Sequence, residues 1–260
     1  MVGVRDDELV RRLLAAGEIG VDFLETGGPR AATAPAVPGG AGLLVHNAVW
    51  NWSLAHPRAL ELPGVLSTIR EVAARTGTPW ISTHLGFACA EVAPDGRMMM
   101  PRSPVLARDD VRASIVRTAR GLAAALRVPL LLENLDYWPT GAYEYVSEPA
   151  FVADVLAEAG VEFLLDLAHA QVAAARLGLP VDDYVARLPL KRVREIHVSG
   201  PRLREGGLID AHDSLTDEDY RLLGRVLAAS RPAAVTFEYH GADGSAVAAE
   251  LARLRTVLGV

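Results

Sequence analysis

Short apolar runs recur along the chain at Val21–Glu25, Leu43–His46, Trp80–His84, Leu130–Glu133, Phe163–Asp166, Ile196–Val198 and Ala234–Glu238. Such runs, bounded by turn residues, predict strands buried on both faces. Between them the period changes. Apolar residues three and four apart predict helices over Asp6–Ala16, Leu60–Arg75, Asp109–Leu126, Glu148–Ala159, Asp182–Leu188, Asp217–Ala228 and Ser245–Leu258. Gly77, Gly160 and Gly178 stand where helix C-caps belong. Strand and helix in alternation predict βαβ units and a parallel sheet. Seven strands are plain, and the eighth is either Val2–Val4 or a short element near Leu208–Asp210. The pattern predicts an α/β fold, an irregular (β/α)8 TIM barrel, as a single domain over residues 1–260. A doubly wound open sheet is the alternative. Thr26–Gly42 and Gly86–Pro104, rich in Gly and Pro, read as loops over a site.

The polar positions are as regular as the apolar ones. Each run ends at or beside a metal-capable side chain: Glu25, His46, His84, Glu133, Asp166, His197 and Glu238. All strands of a parallel barrel end at one face, so these side chains converge on one mouth. One His or Glu at a strand end is ordinarily a hydrogen-bonded polar residue or a helix cap. Seven in register differ, because burying carboxylates beside imidazoles is costly unless a cation neutralises them. Two local pairs enlarge the set: Asp166 with His169 at a strand-to-helix turn, and Asp210 with His212. Glu133 closes its strand just before Asn134, where a carboxylate can bridge two ions. The candidate ligands are therefore His46, His84, Glu133, Asp166, His169, His197, Asp210, His212 and Glu238. Glu25 is the least secure, since it precedes the first loop. One zinc or iron site needs three or four ligands. This set suffices for two or three ions spaced as in two-metal sites. Nitrogen and oxygen donors suit Fe, Mn or Zn alike.

Other candidates have plainer readings. His56 precedes Pro57 in a loop, and His240, two after Glu238, could orient a ligand. Trp50, Trp52, Tyr137, Trp138, Tyr143, Tyr145 and Met98–Met100 read as loop packing. Cys89, the one cysteine, has no base tied to it and excludes a disulfide framework. No glycine-rich nucleotide motif occurs. Lys+Arg 26 against Asp+Glu 32 gives a net charge of −6, which disfavours nucleic acid as a partner. No run is long and apolar enough to span a membrane, and no signal peptide is read at the N-terminus. A cytoplasmic location is expected.

Five segments carry a family resemblance: Leu131-Leu132-Glu133-Asn134, Leu164 to Ala170 through Asp166 and His169, Glu195 to Gly200 through His197, Leu208 to His212 through Asp210, and the Glu238 strand. With the His46 and His84 strands, they resemble the multinuclear non-haem iron-dependent oxidative enzymes. That family includes the methanobactin-biosynthesis-type peptide-modifying oxidases and has a xylose-isomerase-like TIM barrel. The resemblance implies an oxidoreductase of two or three irons, with O2 as co-substrate. It acts on a ribosomally made precursor peptide, commonly at cysteine, with a separate leader-binding partner protein. It implies that His46, His84 and Glu133 hold one ion. Glu133, Asp166, His197 and Glu238 hold a second, and His169, Asp210 and His212 a third. Glu133, Asp166 and His197 are the expected catalytic residues. The family often has Asn at the position of His169, and many members have a histidine at that of Pro201. The ligand order also looks like that of trinuclear zinc phosphodiesterases of the abasic-site endonuclease type, against which the net charge of −6 stands. A sugar isomerase or epimerase barrel is a third reading. Such enzymes commonly carry a lysine in the site, and Lys191 stands at the start of a strand, the wrong end.

Overall fold

A computed structural model describes all residues, 1–260. Twelve strands form in chain order: β1 (Val2–Arg5), β2 (Phe23–Gly27), β3 (Gly42–His46), β4 (Ile81–His84), β5 (Val92–Asp95), β6 (Met98–Pro101), β7 (Leu130–Glu133), β8 (Glu162–Asp166), β9 (Val193–Val198), β10 (Gly200–Arg204), β11 (Gly207–Asp213) and β12 (Ala234–Phe237). The helices are α1 (Glu8–Ala16), α2 (Gly28–Thr33), α3 (Val65–Thr76), α4 (Arg108–Ala125), α5 (Pro149–Ala159), α6 (Leu167–Arg176), α7 (Val181–Ala186), α8 (Asp217–Ala229) and α9 (Gly244–Leu258). Eight strands are parallel and close into a barrel in the order β1-β2-β3-β4-β7-β8-β9-β12 and back to β1. The sheet is closed, which settles the choice against the open doubly wound alternative. The remaining four strands make two antiparallel hairpins, β5–β6 and β10–β11.

Side-chain alternation along each strand builds two cores. One parity faces the helices: Val2, Val4, Leu24, Val45, Ile81, Leu132, Leu165, Ile196, Val235 and Phe237 belong to the large outer core. The other parity faces the barrel axis. There Leu44, Trp80, Leu131, Leu164 and Ala234 form a separate apolar plug with Phe23 against it. Two residues further along each strand the chemistry turns polar. Phe23 leads to Glu25, Leu44 to His46, Leu131 to Glu133 and Leu164 to Asp166. The apolar layer thus floors a polar one at the C-terminal mouth, the layered interior expected of such barrels.

The structure corrects several expectations. The eighth barrel strand is β1, whereas Leu208–Asp210 lies in the β10–β11 hairpin. Glu25 lies inside β2, which continues to Gly27. The first loop contains α2, and the second contains the β5–β6 hairpin. Helix α6 is expected only at its ends, the strand-to-helix turn at Asp166 and the cap at Gly178, and not along its body. Its Leu167, Ala168, Ala170, Val172, Ala173 and Ala174 are all buried, so no polar stripe marks the period. It ends at Arg176, and the expected Gly178 closes it in the left-handed conformation (φ +68°), with Leu179 N donating to the Ala174 carbonyl at 2.9 Å. Helix α3 starts at Val65 rather than Leu60, because Pro63 and Gly64 (φ +79°) precede it.

Candidate metal centre

All nine expected ligands lie at the C-terminal mouth. Glu133 is at their centre, and its two oxygens face different partners. Oε2 lies 3.1 Å from His46 Nε2 and 3.3 Å from His84 Nε2. Oε1 lies 3.5 Å from His169 Nδ1 and 3.6 Å from His197 Nδ1. His197 Nδ1 is also 3.9 Å from Asp166 Oδ2 and 3.4 Å from Glu238 Oε2. Asp210 Oδ2 lies 3.1 Å from His212 Nε2 and 3.8 Å from His169 Nε2, and His212 Nε2 is 3.4 Å from Glu238 Oε2. Glu133 Oε2, Asp166 Oδ2 and His197 Nδ1 are buried without a hydrogen-bond partner. Two ligands on one ion stand about 3–3.5 Å apart, given bonds of about 2.1 Å at near-tetrahedral angles. The separations and the orphaned atoms therefore fit bound cations better than a hydrogen-bonded network.

Hydrogen bonds behind these groups fix which ring nitrogen is bare. The Asn134 carbonyl, 2.9 Å from His169 Nδ1, can only accept, so Nδ1 carries the proton and Nε2 faces Asp210. Glu25 Oε2 accepts from His197 Nε2 at 2.8 Å, which turns the bare Nδ1 toward Glu133, Asp166 and Glu238. Ser82 Oγ, which donates to the Val45 carbonyl, accepts from His46 Nδ1 at 2.9 Å, so Nε2 is unprotonated toward Glu133, with Asn47 Nδ2 also 2.5 Å from it. Ser199 donates to Asp210 Oδ1 at 2.7 Å, leaving Oδ2 for the two histidines. Asn47 Oδ1 accepts from the His84 amide and from Thr83 Oγ1, pinning the ends of β3 and β4 together. Asn134 exchanges two bonds with the Asp166 backbone and does the same for β7 and β8. Asn47, Asn51 and His212 are the non-glycine residues with left-handed φ, at 47°, 58° and 48°. All three line the mouth, where backbone strain of this kind concentrates.

The electrostatics describe a cluster that needs positive charge. Burial works against charge on His169 and His197, yet Asp166 and Glu133 around the first, and Glu25 and Glu238 around the second, raise both well above the usual value. His46 is raised too, as Glu133 outweighs its burial. His84 is lowered to about 4, mainly by burial. Glu133 and Glu238 are held well below the carboxylate range despite burial, by His46 and His84 around Glu133 and by His197 and His212 around Glu238. Burial pushes Asp166 up to about 7. Without a metal, protons on the histidines supply the missing cations.

The family described as "RiPP precursor modification enzyme MbnB/TglH/ChrH" matches residues 22–258. The chain belongs to this family. A UPF0276 protein of Bordetella pertussis is 30% identical over 183 residues, 68% of this chain and 62% of its own length. Another, from Caulobacter vibrioides, is 30% identical over 148 residues, 57% of this chain and 51% of its own. The chain thus matches about half to three-fifths of these relatives' length. Solved structures share the xylose-isomerase-like barrel. D-psicose 3-epimerase from Clostridium cellulolyticum H10 superposes with TM-score 0.61 at 10% identity, covering 99% of this chain and 91% of its own. The 3-keto-D-glucoside 4-epimerase YcjR of E. coli gives 0.63 at 16%, covering 98% of each. At these identities the likeness is one of fold.

In this member of the MbnB/TglH/ChrH family the mouth opens into a cavity of about 770 Å³. Both expected loops border it, through Pro29 and Arg30 of α2 and Arg97, Met98 and Met99 of the β5–β6 hairpin. Trp50 lies half-exposed against this cavity and Trp52 is buried in the core, so the pair divides. The Trp50 indole rests on Gly28 (φ +51°), where any Cβ would overlap it. His240 packs against His212 at 4.2 Å between centroids, the rings tilted by 33°. His56 takes no part and accepts the Arg58 amide. Cys89 is buried, with its thiol pushed up to about 11, so it is no nucleophile at neutral pH.

Glu195 and Asp136 are the chemically notable residues not singled out from sequence. Glu195 is fully buried beneath His197 and binds Trp80 Nε1 and Thr236 Oγ1, each at 2.7 Å. Burial and the nearby Glu25 push it up to about 7. It forms a compact group with Glu25 and His197, but hydrogen bonds satisfy that group without an ion. Its place two residues before His197, hence on the same face of β9, was the available signal. Asp136 lines the cavity, takes Trp138 Nε1 at 2.6 Å, and is raised by burial.

Proposed function

We propose that this protein is a multinuclear non-haem iron-dependent oxidase that uses O2 to modify a ribosomally synthesised peptide at cysteine. Family membership and the barrel point to an enzyme, and the family description to a precursor peptide as substrate. The observation that carries the metal reading is Glu133, whose two oxygens face separate histidine groups as a bridging carboxylate would. His46, His84 and Glu133 would hold one ion, and Glu133, Asp166, His197 and Glu238 the second. His169, Asp210 and His212 would hold a third. The nitrogen and oxygen donor set fits iron. Bound iron supplies O2 reduction and one-electron oxidation beside sulfur.

The chain's own residues do the rest. Glu25, Ser82 and the Asn134 carbonyl hold three imidazoles in one tautomer, so the donors are preorganised. Asp136 stands outside the ligand set with Oδ1 free of Trp138 and takes up the thiol proton there as the substrate binds. Phe87, Leu135 and Met99 narrow the mouth and exclude water from the reacting sulfur. Leader recognition falls to a separate partner protein.

The deciding experiment is metal content per chain by elemental mass spectrometry, on protein purified without chelator or added metal. It is followed by O2 uptake and peptide mass change with a cysteine-containing precursor. Two or three irons per chain with peptide-dependent O2 uptake is the expected result. Zinc alone, with cleavage of abasic-site DNA, would replace the oxidase by a phosphodiesterase. No metal even after anaerobic Fe(II) loading would remove the cluster.

A further inference from the structure

One strand end breaks the pattern of the others. β1 ends in Arg5, a cation among carboxylates and imidazoles. Alternation places Arg5 on the inward face with Gly3, where a Cβ would come within 2.8 Å of Thr236 Oγ1. Val2 and Val4 fill the outer core. Arg5 is half-buried and lines the cavity. Its neighbouring acids are already engaged. Glu25, its partner in register, is bound to His197. Asp6 is gripped by Arg11 through Nε at 2.6 Å and Nη2 at 2.8 Å, with Arg30 Nε a further 3.6 Å away. Arg5 is left without an ion pair. Two more guanidiniums border the same cavity. Arg30 shares Asp6 with Arg11, and Arg97 at the tip of the β5–β6 hairpin spends one N–H on the Asp210 carbonyl at 3.0 Å.

The mouth is therefore layered by charge, with acids and imidazoles below and guanidiniums at the rim. Once cations occupy the acids, an unpaired arginine beside them is repelled. An anion between them relieves that repulsion. A guanidinium fork matches a carboxylate, which it binds in two parallel bonds. We propose that Arg5, flanked by Arg30 and Arg97, forms a subsite for a carboxylate of the substrate peptide, fixing which residue reaches the metal centre. This deepens the peptide reading given above and rests on it. The carboxylate is either the peptide's C-terminus or an Asp or Glu side chain beside the modified residue.

The test is anaerobic calorimetric titration of the metal-loaded protein with three probes: N-acetyl-Gly-Cys with a free C-terminus, the same peptide as its amide, and N-acetyl-Asp-Cys-amide. At least one carboxylate-bearing probe should bind about tenfold or more tightly than the amide, the size of one charge-assisted pair. Tight binding of the free acid alone identifies the C-terminus as the source, and tight binding of the Asp peptide identifies a side chain. In Arg5→Gln the preference should fall to within about threefold at unchanged metal content, and Arg5→Lys should keep part of it. Equal binding of acids and amide, including no binding of any probe, overturns the subsite. So does a preference that survives in Arg5→Gln, which would mean the carboxylate sits on the metal itself. Loss of metal in Arg5→Gln would also overturn it, making Arg5 a structural part of the cluster. If the wild type carries a metal other than iron but keeps an Arg5-dependent preference, the oxidase reading fails and the subsite stands.

Discussion

Glu133 shows what one side chain does in this centre. It is buried, its oxygens are divided between two histidine pairs, and Oε2 has no hydrogen-bond partner. In the proposed centre its removal would strip a donor from two ions at once. Glu133→Ala should lose more than one metal ion per chain by elemental mass spectrometry, whereas a donor outside the centre such as His56, changed to Ala, should lose none. A Glu133→Ala protein with full metal content would disprove the bridging role. Glu25 acts differently, since its bond to His197 sets the tautomer rather than supplying a donor. Glu25→Gln should keep the fold but weaken metal binding by about 10- to 100-fold, the usual effect of losing such an orienting partner, measured by competition with a chromophoric chelator. Unchanged affinity would show that the ring is held by packing alone.

At the scale of elements, the barrel strands declare themselves because they are short, mainly apolar runs that end at or beside a polar side chain. The helices follow from their caps. α8 opens with a capping box in which Thr216 Oγ1 accepts from the Asp219 amide and Asp219 Oδ2 accepts from Thr216 N at 2.7 Å. Asp219 also takes Gln171 Nε2 at 2.8 Å, which ties α8 to α6. Thr216→Ala should cost about 1 kcal/mol and lower Tm by about 2–4 °C in thermal denaturation at fixed metal content. No shift would mean that the Gln171 bond alone holds this end. The periodicity hides α2 and the body of α6 for opposite reasons. α2 is six residues among Gly and Pro, stabilised by the barrel rather than by its own propensity. α6 is so deeply seated that its pattern has no polar side.

At the scale of the whole molecule, the proposed centre implies two charge states, with metal and without it. In the metal-free protein His169 and His197 are raised well above their ordinary value, and Asp166 and Glu195 are raised to about 7. Groups that bind protons more tightly when folded stabilise below their unfolded pKa and lose that contribution as pH rises through the folded one. For the carboxyls the loss runs from about pH 4 to 7, and for the histidines it begins above about 6.5. His84 and His240, lowered to about 4, act oppositely and offset the carboxyls below about pH 6.5, so metal-free protein should lose Tm above about pH 6.5. Loaded protein should gain Tm over the same interval, because the metal needs the histidines neutral and releases their protons on binding. Parallel slopes for the two forms in calorimetric scans would show that the histidines do not hold the metal. No helix is long and apolar enough to cross a membrane.

Periodicity alone determined the alternation of strand and helix, the face on which each strand-end residue lies, and the candidate ligands. All of these depend on spacing within a few residues. The tertiary structure decided what depends on neighbours far apart in the chain. It chose Val2–Arg5 over the Leu208 segment as the closing strand, because β1 must pair with both β12 and β2. It set Glu25 beside His197, 172 residues away, as an orienting partner. It also placed Glu195 in a buried polar layer above the Trp80 plug, and left Arg5 as the one strand-end cation facing the cavity. Sequence spacing fixes which way a side chain points, and barrel closure fixes what it meets there.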